Sequence, residues 1–152
     1  MLDNEWKAIL GWGDQELEEL RNSGYIFLRQ GHYHKAILFF EALVILDPLS
    51  IYDFQTLGGL YLQIGENAKA LGVLDQALRM QGDHLPTLLN KTKALFCLNR
   101  IDEASAIAVY LTSCDDPVIA NDAEALLMSY NKKNHQKARG SFSLIFCPLT
   151  KK

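Results

Sequence analysis

Between Leu20 and Pro48, apolar and small residues fall on two helical stripes. Leu20, Ser23, Gly24 and Phe27 recur at i, i+3, i+4 and i+7, and Ala36, Phe40 and Leu43 at i, i+4 and i+7. That spacing lines one side of an α-helix. Gly31-His32 separates the stripes and Pro48 closes the unit, so the segment reads as a helical hairpin. Moving on 34 residues puts Gly65 in the place of Gly31 and Ala70 in that of Ala36, and a further 34 reaches Asn99 and Ala104. Self-similarity at this period is the mark of a stacked helical repeat.

Counted from Leu17, the repeats are 17–50, 51–84 and 85–118. One such hairpin cannot bury its apolar face alone, so the units stack and the ends are capped. Residues 119–136 supply the trailing cap, with Ile119, Ala123, Leu126, Leu127 and Tyr130 on one face, and the repeat domain runs over 14–136. Asp14 is expected to N-cap the first helix, with Glu16, Glu18 and Glu19 favouring its positive end. Residues 1–13 form a leading helix or arm, with Leu2, Trp6, Ile9 and Leu10 on one side and Gly11-Trp12-Gly13 ending it. It either covers the first repeat or docks on a second subunit; an isolated helix this short is marginal in water, so both tryptophans need something to pack against. Residues 137–152 are an apolar tail containing SFSLIFCPL. Docking on the repeats, pairing as a strand, and disorder all remain open for it.

Composition narrows the function classes. The chain has 152 residues, 49% of them hydrophobic, and a net charge of −3 with the signs interspersed. That is one globular domain with a sizeable core. It has no basic stripe to neutralise phosphates, so nucleic acid is not an expected partner. Three widely spaced cysteines, Cys97, Cys114 and Cys147, suit neither a disulfide framework nor a zinc site and point to a reducing cytoplasm. The acidic start is unlike a secretory signal, and no apolar run approaches the roughly 20 residues that span a bilayer.

Candidate chemistry is sparse. Of the four histidines, His32 and His34 sit at a hairpin turn where i, i+2 spacing does not converge on a helical face, and His84 and His135 are far apart. No His-Glu-x-x-His, Cys-x-x-Cys, phosphate-binding glycine loop or nucleophile elbow occurs. Cys97 reads as packing or groove lining, and Asp115-Asp116 before Pro117 as a helix-ending turn. The sequence points to a protein that is not an enzyme, with no metal and no cofactor.

The hairpins resemble tetratricopeptide repeats. That family prefers a large residue at position 4; Leu, a small residue and an aromatic at 7, 8 and 11; and Ala, Phe, Ala and Pro at 20, 24, 27 and 32. The first repeat supplies Leu20, Ser23, Gly24, Phe27, Ala36, Phe40, Leu43 and Pro48. The second supplies Phe54, Leu57, Gly58, Tyr61, Ala70, Leu74 and Ala77, with Gly82 where proline is preferred. The third departs most: Leu88, Lys91, Thr92, Leu95, Ala104, Ala108 and Leu111, with Pro117 one place late. The resemblance implies an all-α, right-handed superhelix of three hairpins with capping helices at both ends.

In stacks of this kind the first helices line a concave surface through positions 2, 5, 9 and 12. From these the candidate partner-binding residues are Tyr25, Leu28, Tyr52, Gln55, Gly59, Leu62, Leu89, Lys93 and Phe96, an apolar and aromatic trough. Either terminal helices fold in and make these side chains core, or the trough receives an apolar segment of another protein. The clamp by which some tetratricopeptide co-chaperones hold acidic C-termini needs Lys, Asn, Asn, Lys and Arg, where this chain has Arg21, Tyr25, Thr56, Pro86 and Asn90. Only the first keeps its character. Gly59, beside Gly58 in mid-helix, costs roughly 1 kcal/mol against alanine; either the stack simply tolerates it or a ligand backbone passes close by.

The run FEALVILDPLSIYDFQTLGGLYLQIGENAKAL, residues 40–71, is similar to the class II chaperones of bacterial type III secretion. It has their Ala-Leu pair, Leu-Asp step, Phe-x-x-Leu-Gly helix and the Gly and Ala that open the next helix. The resemblance spans about residues 14–130. It implies a cytoplasmic holdase that keeps a secretion substrate soluble before export, either a membrane-inserting translocator or the needle-forming subunit. It also implies an apolar peptide or amphipathic helix as ligand, gripped by residues such as Tyr25, Leu28 and Tyr52. The N-terminal segment resembles the region through which some of these chaperones form homodimers. The alternative reading is a generic tetratricopeptide adaptor scaffolding another complex.

Overall fold

Residues 5–137 are described by the structure, a computed structural model, and every regular element among them is an α-helix. A short α1 (Glu5–Leu10) precedes three hairpins: α2 (Asp14–Arg29) with α3 (Tyr33–Leu46), α4 (Ile51–Gln63) with α5 (Asn67–Met80), and α6 (Leu85–Cys97) with α7 (Ile101–Thr112). The last helix, α8 (Pro117–Lys137), packs on α6 and α7.

The three hairpin turns share one physical device. Gly31, Gly65 and Asn99 take left-handed φ values of 76°, 82° and 60°, a region open to glycine and tolerated by asparagine. Each lets the next residue's N–H reach back five residues: His32 to the Phe27 carbonyl, Glu66 to Tyr61 and Arg100 to Leu95, all at 2.9 Å. These are Schellman closures, which satisfy carbonyls that the helix end leaves orphaned. Asn99 thus does the work of a glycine.

Small residues set how closely the paired helices approach. A β-carbon on Gly24 would lie 2.9 Å from Cε2 of Phe40, and one on Gly58 only 2.5 Å from Cδ2 of Leu74. Ala36, Ala70 and Ala104 are fully buried, and Phe40, Leu43, Leu57, Leu74 and Leu95 fill the space around them. Thr92, which occupies the small-residue position of the third repeat, is also fully buried. Its hydroxyl donates to the Leu88 carbonyl at 2.9 Å, which satisfies it inside the seam.

Polar contacts fix one repeat on the next. The Arg21 guanidinium on α2 donates from Nε and Nη2 to the two carboxylate oxygens of Asp53 on α4, each at 2.8 Å. Asp53 is completely buried, while Glu18 at 2.7 Å and Asp47 at 3.6 Å complete the surround of the guanidinium. Asp53 first, and then Glu18, push the arginine's pKa further above its already high value. Tyr61 donates its hydroxyl to Glu41 in the preceding repeat, and burial together with that carboxylate raises the phenol's pKa. Lys91 reaches Asp75 at 2.7 Å, so the lysine in the third repeat's seam joins α6 to α5.

Three expectations are corrected at the helix ends. Gly13, not Asp14, is the N-cap of α2; its N–H donates to Glu16 Oε2 at 2.7 Å, so a glutamate two residues on from Asp14 does the capping. The trailing helix opens at Pro117, not Ile119. Asp116 Oδ1 accepts from the N–H groups of Val118 and Ile119 at 2.9 and 3.2 Å, and proline is at home in the first helical position. The acidic pair therefore starts a helix as well as following one. α1 buries none of its residues and leaves Trp6, Ile9 and Leu10 exposed, whereas Trp12 packs on the core. Leu2 and the tail at 138–152 lie outside the described residues.

Replacing Arg21 by Met strands the Asp53 carboxylate in the interior and is expected to cost about 3 kcal/mol, read by chemical denaturation. The double variant R21M/D53L should recover most of that loss. Phe96→Glu, which drives a charge into the seam between α6 and α8, should cost at least about 3 kcal/mol and lower the thermal midpoint sharply.

Candidate functional site

The first helices of the hairpins lie side by side and parallel. Arg21 meets Asp53 and the Tyr25 hydroxyl lies 3.3 Å from Thr56 Oγ1, so α2 and α4 are in register about one repeat apart. Gln55 Nε2 lies 3.0 Å from Nδ1 of His84, which caps α6, and the same nitrogen lies 2.7 Å from the Thr87 hydroxyl. This histidine is a polar pin between repeats.

The concave surface is divided in two. At the third repeat α8 continues the row parallel to α6. Leu89 shares a cluster with Ile119 and Ala123 near the helix starts, and Phe96 stacks on Tyr130 further along, with ring centroids 4.1 Å apart. Leu62, Leu89 and Phe96 retain only 4%, 6% and 3% of their surface. Three of the nine expected contact residues are therefore core in this structure. Leu126, Leu127 and Tyr130 pack on the cluster that contains Leu62 and Phe96.

Between the first and second repeats the surface stays open. A cleft of about 420 Å³ is lined by Tyr25 and Leu28 from α2, Tyr33 from α3, and Thr56, Gly59, Leu60 and Gln63 from α4. Tyr25 is held by its edge-on contact with Phe40, at 5.2 Å between centroids, and by Thr56. A β-carbon on Gly59 would meet nothing within 4 Å, in contrast to its neighbour Gly58. Among the described residues nothing requires glycine at 59.

Of the other expected residues, Gln55 is engaged with His84 and Tyr52 is 73% exposed outside the cleft. Lys93 is half-buried. The sequence reading missed Tyr33, Thr56, Leu60 and Gln63. Thr56, Gly59 and Gln63 stand at i, i+3 and i+7, one helical face, rotated by one residue from the face through Gln55 and Leu62. The polar character of Thr56 and Gln63 against the apolar Leu62 was the available signal.

Little here suits acid–base or metal chemistry. Among the described residues no group of three His, Cys, Asp or Glu side chains could hold a metal ion. Arg21, the only position of the acidic-peptide clamp with the right character, is engaged by Asp53 and Glu18. Among the described residues, no helix is long and apolar enough to cross a membrane.

No family model and no curated protein matches the sequence. Solved structures do match. The Yersinia enterocolitica type III secretion chaperone SycD, in complex with a peptide of the translocator YopD, is similar with a TM-score of 0.72 and 18% identity over 80% of this chain and 97% of that one. PcrH in complex with the chaperone binding region of PopD gives 0.66 and 22% over 82% and 97%. The first tetratricopeptide domain of Spaghetti (RPAP3), bound to an HSP90 peptide, gives 0.68 and 16% over 78% and 96%. The fold is that of a tetratricopeptide-repeat protein, and it resembles the type III secretion translocator chaperones among others.

Proposed function

We propose that this chain is a non-enzymatic type III secretion chaperone that holds an apolar segment of a secretion substrate in its concave groove and keeps it soluble before export. The observation that carries this reading is the open, mainly apolar cleft at Tyr25, Leu28 and Gly59, in a fold whose neighbours include SycD with a YopD peptide and PcrH with a region of PopD. The site would work in the bacterial cytoplasm, where the substrate waits unfolded.

The shape of the groove favours one class of cargo. A helical ligand is about 10–12 Å across and needs a long trough. Here α8 fills the third-repeat portion, which leaves a short cleft better matched to an extended segment with one or two large apolar side chains. A translocator is therefore preferred to a needle subunit. In the cleft, Tyr25 and Leu28 would contact apolar side chains, Thr56 and Gln63 would hydrogen-bond the peptide backbone, and Gly59 would let that backbone approach. Tyr52 would lie at the margin, and Lys93, on α6 in the third repeat, away from the cleft. A homodimer through α1 fits its exposed Trp6, Ile9 and Leu10.

The second reading, an adaptor in an unrelated complex, draws on the similarity to the RPAP3 domain. The side chains at the acidic-clamp positions disfavour that particular ligand.

Leu28→Glu is expected to abolish co-purification of the substrate when the two are co-expressed, with helicity and melting close to wild type. Gly59→Leu should weaken capture at least ten-fold without loss of fold, because the added side chain enters only the cleft. Undiminished capture by both variants would remove the cleft from the binding site.

A further inference from the structure

Apolar residues continue around α3 onto a side that the stack leaves in water. From Ala36 to Leu46 its one polar residue is Glu41, and a helix apolar all round is normally buried. Ala36, Phe40 and Leu43 do pack inside, yet Leu38 and Ile45 are 65% and 58% exposed, and Leu49, in the turn that follows, 84%. With half-buried Ala42 they form a stripe at spacings of 4, 3 and 4 residues, the spacing of one helical face. No described residue covers it.

The other repeats supply the control. One period on, the same exposed positions hold Gly72, Gln76, Arg79 and Asp83, and two periods on they hold Ala106, Tyr110, Ser113 and Pro117. Packing within the stack therefore does not call for apolar side chains there. The four in the first repeat form a contiguous apolar patch of the kind that marks an interface.

The pattern is its own complement. A spacing of 4, 3 and 4 reads the same from either end. A second copy laid antiparallel, about a two-fold axis between Leu43 and Val44, sets Leu38 of one copy against Leu49 of the other and small Ala42 against large Ile45. Such a contact is isologous, the arrangement of most homodimers. The stripe carries no charge for the pairing to bring face to face, and Glu41 beside it is engaged by Tyr61 of α4. Size points the same way. Because the helices of a hairpin run antiparallel, α1 joins α2 at the end of the hairpin where Ile45 and Leu49 lie. In the antiparallel pair that end sits beside Leu38 of the other copy, which brings the exposed Trp6, Ile9 and Leu10 to the rim of the same contact. The stripe alone offers roughly 400 Å² per copy, and with α1 roughly 750 Å², close to the roughly 800 Å² per partner of a standard interface.

We propose that two copies of this chain pair through α3, with Leu38, Ala42, Ile45 and Leu49 at the centre of the contact and α1 at its edge. The inference carries further the α1 dimer suggested above and is independent of what the cleft holds. The cleft is lined mainly by α2 and α4, so each copy keeps its own cleft open and the pair presents two.

The test uses the full chain and needs no cargo. Sedimentation equilibrium is run on wild type, L38E/I45E and W6E/I9E, with circular dichroism to establish that each is folded. Wild type should be a dimer at micromolar concentration. L38E/I45E should weaken dimerisation at least about 100-fold, because the paired stripes would enclose four carboxylates, and W6E/I9E should weaken it less. Position is read separately by oxidative crosslinking of Ala42→Cys, which lies close to the two-fold axis, and of Gln76→Cys at the equivalent place in the second repeat. Ala42→Cys should form a disulfide-linked dimer, and Gln76→Cys and wild type should not. The proposal is overturned if wild type is a monomer, if L38E/I45E dimerises as wild type does, or if Ala42→Cys crosslinks no better than Gln76→Cys. Loss of the dimer in W6E/I9E with L38E/I45E unaffected would leave the α1 contact standing and remove α3 from it.

Discussion

The close approach of the two helices in each hairpin is the constraint on which the rest of the structure depends. At Gly58 there is no room for even a methyl group beside Leu74, and Gly24 is nearly as tight against Phe40. Opposing alanines at 36, 70 and 104 keep the partner helix equally slim. This proximity turns each hairpin into a thin slab with two apolar faces, and stacking the slabs buries those faces. Close packing of this kind tolerates little change of volume, which explains why the 34-residue period is legible at all: the small positions cannot drift. It also explains why Thr92 is acceptable in the third repeat. Its hydroxyl is turned back onto the Leu88 carbonyl, so the seam receives little more than a small apolar group.

Stacking the slabs leaves a row of first helices whose inner face belongs to no repeat. What becomes of that face depends on the neighbours. At the C-terminal side α8 extends the row and covers it, with Tyr130 stacked on Phe96 and Ile119 beside Leu89. At the N-terminal side α1 buries nothing, and the cleft between α2 and α4 stays open. The groove is thus asymmetric because one end cap folds inward and the other does not. The buried Arg21–Asp53 pair sits at the start of the open half and fixes the relative setting of α2 and α4. A lone carboxylate at zero exposure is costly unless paired, so that pair holds the walls of the cleft at one spacing.

The hairpins, their turns and their small positions were readable from the sequence because each is dictated by neighbours within one repeat. The repeat period aligns Asn99 with Gly31 and Gly65, and the left-handed conformation shared by all three is visible only in the structure. The site was less legible. Leu62, Leu89 and Phe96 look like groove residues from their repeat positions, and only the register of α8 against α6, a tertiary fact, makes them core. Asp53 reads as an ordinary acidic residue in the first turn of a helix; its burial under Arg21 depends on two repeats meeting. On α4 the expected face was off by one residue, which exchanged Gln55 and Leu62 for Thr56 and Gln63. The repeat pattern leaves Gly59 between a glycine that the stack merely tolerates and one that admits a ligand backbone, and the empty space around it fits either.

Site-specific photocrosslinking in cells tests the central claim, that the open half of the groove receives an apolar segment of another protein, most directly. A photoreactive phenylalanine analogue placed at Gln63 reports from the cleft, and one at Lys93 reports from the half covered by α8. The account predicts that position 63 crosslinks one secreted protein through an apolar, extended stretch identified by mass spectrometry, and that position 93 does not. Efficient crosslinking at position 93 with none at 63 would contradict it.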